Sequence, residues 1–329
     1  MYDTADLKMS ILDRDAAFNQ AIAGVKPNEN IDLKFILFAI NSRRFKILNQ
    51  RRGVRQKNLS LAKIKNIALP IPSLPEQKRI GAILDEAFEG IDRAIANTEK
   101  NLANSRELFE SYLNAIFIQK GDGWEEKKLG DISEVQGGGT PSRSKSDYWG
   151  GQIAWYSSGE LNYLYTTAPE RNITDKGLEN SNAKLFPKGS LLIEMYDIAA
   201  LKMSIRDRKA AFNQAIAGVK PNDKIDLIFI LHAINFVKPE ILSLRRGVRQ
   251  KNLSLQKIKD IVLAVPELQK QQRVVRQLAS MREETQRLET IYRQKITALK
   301  KLKQSILQKA FTGELTADTA KTVKEEIAA

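Results

Sequence analysis

Cysteine is absent from the 329 residues, and histidine occurs once, at His232. Without cysteine there is no disulfide scaffold and no thiolate-held zinc or iron–sulfur centre, as expected of a cytoplasmic protein. A single imidazole, on an apolar helical stretch, points to packing and not to general-base catalysis. No apolar run approaches the roughly 18 residues of a membrane span, and no leader-type segment is visible. Hydrophobic residues still make up 42% of the chain, enough for packed cores, so disorder is not expected.

Acidic residues are also in deficit. Thirty-nine Asp and Glu against 53 Lys and Arg leave a formal charge of +14. A surplus of that size favours a polyanionic partner, most often nucleic acid. By segment the net charge is +7 for residues 1–75, −2 for 76–120, −3 for 121–194, +6 for 195–269 and +6 for 270–329. The positive charge is therefore concentrated in three places.

Two of those places are copies of one another. The decapeptide RRGVRQKNLS stands at Arg51–Ser60 and again at Arg245–Ser254, 194 residues on. At the same offset, residues 1–67 match 195–261 without a gap at about 50 of 67 positions. Neither convergence nor a short-period solenoid produces that pattern. The register runs on through IPSLPEQKRI against VPELQKQQRV and into two long helical stretches. In the second copy Ser190–Tyr196 and Ala210–Val219 are expected strands. A helix follows, with Leu227, Ile230, Leu231 and Ile234 on one face, then a short helix capped near Ser254 and a strand ending at Pro266.

From Val274 to Ile306, positions 274, 278, 281, 285, 288, 292, 295, 299, 302 and 306 form a largely apolar seam with coiled-coil spacing. A weaker, alanine-rich version runs through Ile80, Leu84, Ala87, Ile91, Leu102, Phe109 and Leu113. Each helix of about 40 residues would be about 60 Å long, too long to bury its stripe alone. The economical arrangement is antiparallel pairing within the chain, with a neighbouring subunit as the alternative. The domain pattern is thus α+β: mixed α/β domains separated by two long antiparallel coiled-coil helices. The boundaries read as 1–75 for the second half of a first domain and 76–120 for a first helix. A complete second domain follows at 121–269, then a second helix at 270–315 and a flexible tail at 316–329.

Catalytic motifs are scarce. GGGTPSRSK (Gly137–Lys145) lacks the phosphate-loop spacing, and no glycine fingerprint opens a nucleotide-binding turn. Glu194 and Asp197 are two lone carboxylates, a weak nuclease signal.

Taken in order, these segments resemble the specificity subunit of Type I restriction–modification enzymes. GWEEKKLGDISEVQGGGTPSRSKSDYWGGQIAWYSSGEL (Gly123–Leu161) looks like the opening of a target recognition domain. AFNQAIAGVKP looks like its middle, RRGVRQKNLSLQKIKDIVLAVPELQKQQRVV like its close, and LKQSILQKAFTGEL (Leu302–Leu315) like the end of the helical region. The resemblance implies a non-catalytic subunit whose two recognition domains each read half of a split site in double-stranded DNA. The helices act as ruler and as dock for methyltransferase subunits, with the restriction/translocase subunit as a further partner. It implies no cofactor in this chain, adenosylmethionine being carried by the methyltransferase. The first domain lacks a counterpart of roughly Gly123–Glu194, so residues 1–75 are expected to be half a sheet, completed by a second chain or by self-association. The alternative is a truncated coiled-coil scaffold with little DNA specificity.

The decapeptide carries the binding chemistry. Arginine can grip guanine and Gln or Asn adenine, while spare basic groups neutralise phosphates. The candidates are Arg245, Arg246, Arg249, Gln250, Lys251 and Asn252, with Arg51, Arg52, Arg55, Gln56, Lys57 and Asn58 in the first copy. Thr140, Ser142 and Arg143, on a loop expected to be flexible, form a second set. A merely basic closing loop, or a plain turn, is the competing reading of each.

Overall fold

A computed structural model describes residues 7–49, 59–196, 201–243 and 252–314. It divides into two compact units, one of residues 1–104 with 288–329 and the other of 105–287. In the first unit the elements are α1 (Leu33–Ser42), α2 (Arg44–Leu48), α3 (Leu61–Lys65) and the long α4 (Leu74–Gln119), whose end belongs to the second unit. The second unit holds β1 (Glu125–Lys128), α5 (Leu129–Ile132), β2 (Val135–Gly137), β3 (Trp149–Tyr156), β4 (Arg171–Ile173), α6 (Asp175–Glu179) and β5 (Leu191–Glu194). It continues with β6 (Met203–Ile205), β7 (Ala210–Phe212), β8 (Ile216–Val219), α7 (Leu227–Ser243), α8 (Leu255–Lys259) and β9 (Val262–Val265). The last helix, α9 (Leu268–Thr312), starts in the second unit and ends in the first.

Among the described residues three sheets build the second unit. β2-β8-β5-β6 is antiparallel throughout, β4-β3-β7 contains the parallel pair β3–β7, and β1 pairs with β9. The strand expected over Ala210–Val219 is two strands in different sheets. The turn at Asn213–Ala215 redirects the chain, with the Asn213 side chain accepting from Ala215 N. Leu191, Leu192 and Ile193 are fully buried, as are Phe212, Ile216 and Val219. An arginine also lies in this core. Arg206 is 1% exposed and donates to the carbonyls of Arg208 and Ala210, and burial lowers its pKa to about 10.

Local helix signals act alike in both copies. Asp32 accepts from Phe35 N and Asp226 from Phe229 N, while Ser60 and Ser254 cap α3 and α8. Gln77 and Gln271, 1% exposed each, are buried clamps. Their Oε1 atoms accept from Asp32 N and Asp226 N, and their Nε2 atoms donate to two carbonyls each: those of Asn30 and Pro72, and of Lys224 and Pro266.

Both units also pair the start of one long helix with the end of the other, antiparallel. In the first, Lys303 lies 4.7 Å over the Phe88 ring and bonds Asp92, while Leu84 packs with Leu307 and Ala310. In the second, Arg282 lies 4.7 Å over Phe109, and Leu113 and Phe117 share a core with Val274 and Leu278. The repeat offset maps Phe88 onto Arg282 and Phe109 onto Lys303, so the cation–aromatic contact is kept with its partners exchanged. Phe35 against Phe311 (5.3 Å) and Phe229 against Phe117 (5.5 Å) are equivalent in the same way. The seam departs from expectation near its end. Lys295 and Leu302 are exposed and the inward positions become Ile296, Lys303, Leu307 and Ala310. A helix of 3.6 residues per turn drifts off a 3.5-residue repeat unless it supercoils.

Residues 7–31 differ most from expectation. No strand forms there, and Phe18, Ile22 and Val25 are 51%, 53% and 55% exposed. The expected half-sheet is instead a stretch without strands, and the core of this unit is helical, built on Phe35, Phe38, Ala39, Ile80 and Leu84.

Candidate nucleic-acid interface

Strand directions decide which loops meet. β2 and β5 end, and β8 and β6 begin, at the same end of the four-stranded sheet. Four connecting segments therefore converge: Gly138–Thr140, Asn213–Ala215, Met195–Tyr196 and Leu201–Lys202. Backbone bonds tie them together, from Gly139 N to Phe212 O (2.9 Å), Met195 N to Ala215 O (2.8 Å) and Glu194 N to Lys202 O (2.9 Å). A fifth segment joins when Leu253 N donates to Met195 O at 2.8 Å. That bond anchors the residue after Asn252. The parallel β3–β7 pair adds a sixth, because Asn213 N donates to Tyr156 O at the head of Ser157–Tyr163.

The glycine run is explained by packing. A Cβ on Gly138 would stand 2.2 Å from Phe212 O, and one on Gly139 2.3 Å from the backbone of Asn182. Trp155 Nε1 donates to Gly139 O at 3.0 Å. The loop expected to be flexible is thus wedged against the sheet, and only glycine allows that approach. Thr140 emerges from it and donates its hydroxyl to Gln214 Oε1 at 2.5 Å. Gln214 is exposed, and its Nε2 still has hydrogens to offer. Ser142 and Arg143 follow on an exposed turn, held where Trp149 Nε1 donates to Ser142 O.

The converging segments also carry Tyr196 (42% exposed), Tyr163 (67% exposed) and Lys202, whose Nζ donates to Asn162 Oδ1 at 2.9 Å. Leu201 is buried with φ of 43°, a left-handed conformation that costs a branched side chain about 1–2 kcal/mol. Glu194 is buried, and its carboxylate accepts from Lys202 N. It clamps the strand end, and Asp197 lies outside the described residues. His232, also buried, has its pKa pushed down to about 4 by burial and by the Arg282 charge beside it. Among the described residues no group of three or more His, Cys, Asp or Glu could hold a metal, and no helix is long and apolar enough to cross a membrane.

Of the sequence candidates, Thr140 and Asn252 come to this sheet end, with Ser142 and Arg143 continuing from Thr140. Arg245, Arg246, Arg249, Gln250 and Lys251, the first-copy set Arg51–Asn58 and the tail at 316–329 lie outside the described residues. Sequence reasoning missed Gln214, Tyr196, Lys202, Asn162 and Tyr163. Gln214 had a signal: an Asn-Gln pair interrupts an apolar run in both copies.

A family model described as the Type I restriction modification DNA specificity domain matches residues 7–103 and 121–301. The chain belongs to that family. It is 28% identical over 226 residues to the EcoR124I/EcoR124II specificity subunit of Escherichia coli, covering 64% of this chain and 54% of that protein. It is also 28% identical over 156 residues to the MjaIX specificity subunit of Methanocaldococcus jannaschii, covering 46% and 36%. The matches thus span about a third to a half of these relatives' lengths. A solved chain from work on complex assembly and conformational transition of the type I R-M system superposes with a TM-score of 0.69. The identity is 19% and the match covers 87% of this chain and 72% of that one. That likeness extends to the α+β fold with long helices.

Proposed function

We propose that the chain is the non-catalytic, DNA-reading specificity subunit of a cytoplasmic type I restriction–modification complex. Methyltransferase subunits dock on its long helices, with the restriction/translocase subunit as a further partner. Adenosylmethionine belongs to the methyltransferase, because no glycine fingerprint for it is present here. The observation that carries the reading is the convergence of six segments at one sheet end of the family's domain. There Gln214, Thr140 and Asn252 offer groups suited to base edges, and Lys202 and Arg143 groups suited to phosphates. Arg245, Arg246, Arg249, Gln250 and Lys251, close in the chain before Leu253, would add phosphate and base contacts. In the first copy Arg51, Arg52, Arg55, Gln56, Lys57 and Asn58 would do the same work.

The target is first found by purifying the chain with its neighbouring methyltransferase and mapping the adenines that become methylated. Target and scrambled duplexes are then titrated at two salt concentrations. Arg249→Ala should weaken both and lower the salt slope by about one, while Gln214→Ala or Gln250→Ala should cost about 1–3 kcal/mol on the target alone. If none of the three changes alters affinity for either duplex, the DNA surface moves elsewhere. The exposed apolar side chains of residues 7–25 favour a second reading, a coiled-coil assembly scaffold. Salt-steep but sequence-blind binding would select it.

A further inference from the structure

Thr140 and Gln214 lie 74 positions apart, and both backbones are pinned where their side chains meet. Gly139 N donates to Phe212 O at 2.9 Å and Gly139 O accepts from Trp155 Nε1 at 3.0 Å, so Thr140 leaves the sheet from a fixed point. Gln214 sits inside a turn closed by Ala215 N on Asn213 Oδ1 at 3.1 Å and by Ile216 N on Asn213 O at 3.2 Å. On either side of it Asn213 N donates to Tyr156 O and Ala215 O accepts from Met195 N. Between these fixed loops the Thr140 hydroxyl donates to Gln214 Oε1 at 2.5 Å.

That bond decides which end of the amide faces outward. A glutamine amide has an acceptor end and a donor end, and its usual contact with adenine uses both on one base edge. Here the oxygen is turned to Thr140, and the exposed Gln214 presents Nε2 with its two hydrogens. Such an end suits an edge that offers acceptors alone. In the major groove guanine presents two, O6 and N7, whereas adenine adds an N–H donor and cytosine offers only donors. We propose that Thr140 is a positioning residue that holds Gln214 as a donor-only reader, and that Gln214 thereby selects guanine over adenine at one base of the target. The inference rests on the DNA-reading role proposed above and sharpens it, since residue type alone assigns glutamine to adenine. Because both loops are tied down, the donor end is in place before DNA arrives, and a base without acceptors leaves it unpaired.

The test uses the full chain purified with its methyltransferase, on the target mapped by adenine methylation. Each base pair of that target is replaced in turn by the other three, and relative affinities are measured at one salt concentration. At one position guanine should be favoured over adenine by about tenfold or more. Gln214→Glu keeps an oxygen for Thr140 but turns an acceptor outward, so at that position alone the preference should pass to cytosine or adenine. Thr140→Val removes the hydroxyl and frees the amide, so guanine and adenine should come within about twofold there. Thr140→Ser should keep the preference. Sequence-blind binding by the unaltered chain would sink the DNA-reading role and this inference with it. Specific binding whose guanine preference survives both Gln214→Glu and Thr140→Val, or a Gln214-dependent position that favours adenine, would overturn the inference and leave DNA reading intact.

Discussion

Ala16–Val25 and Ala210–Val219 are the same ten residues, yet the second set forms two buried strands and the first none. Gln77 and Gln271 share neighbours as closely, yet they make the same three bonds in their two units. The difference lies in where each element finds its partners. A helix bonds within itself and is capped by adjacent residues, and the buried glutamines reach groups carried by their own copy. A strand bonds outward, and here every ladder partner of the second copy's strands lies in residues 125–194, whereas Ala16–Val25 forms no ladder among the described residues. Identical sequence therefore secures the same helices, whereas the strands need a partner segment.

The largest expected break in this comparison is Phe212→Asp against Phe18→Asp. The first puts a charge into a core at 0% exposure and should cost more than about 4 kcal/mol, enough to unfold the second unit. The second should change stability by less than about 0.5 kcal/mol, since its side chain already meets solvent. Urea titrations followed by amide exchange in each unit read both; equal costs would show that Phe18 is covered. His232 gives a smaller, pH-dependent effect. Unfolded, its imidazole titrates near 6.5, whereas folded it stays neutral down to about 4. Below about pH 6.5 the unfolded state gains a proton that the folded state refuses, so stability is full above that pH and falls as pH drops towards 4. The loss should reach about 3 kcal/mol. His232→Phe, copying Phe38 of the first unit, should remove the pH slope from the second unit without creating one in the first. Smallest, and a test of likeness, Gln77→Leu and Gln271→Leu should each leave three backbone groups unpaired and cost about 2 kcal/mol. Costs differing more than twofold would mean that the two clamps are not equivalent.

Much of the second unit was legible from its residues. Ser254 and Asp226 stand at helix starts, Leu191–Ile193 is a continuous apolar strand, and Val274 and Leu278 open a buried seam. The two-strand break at Asn213–Ala215 was not legible, because ten apolar-rich residues look like one strand until separate sheets claim them. The seam shift at Lys295 and Leu302 depended on how tightly two helices wind, which spacing alone leaves open. Of the site, Thr140 and Asn252 stood out by residue type. Gln214, Tyr163 and Lys202 did not, since their proximity follows from strand order. The Gly137–Gly139 run suggested looseness until the neighbours of Gly138 and Gly139 showed the opposite.

The amino-acid sequence by itself determined the duplication, the caps and apolar faces of the helices, and the placing of positive charge beside the repeated loops. These depend on residues close together in the chain or on simple composition. Only the tertiary structure decided that loops up to about a hundred residues apart meet at one sheet end, that Arg206 lies inside a core, and that Ala210–Val219 forms two buried strands whereas the identical Ala16–Val25 forms none. Strand pairing and burial belong to pairs of segments, and their energy appears only when the partner is in place.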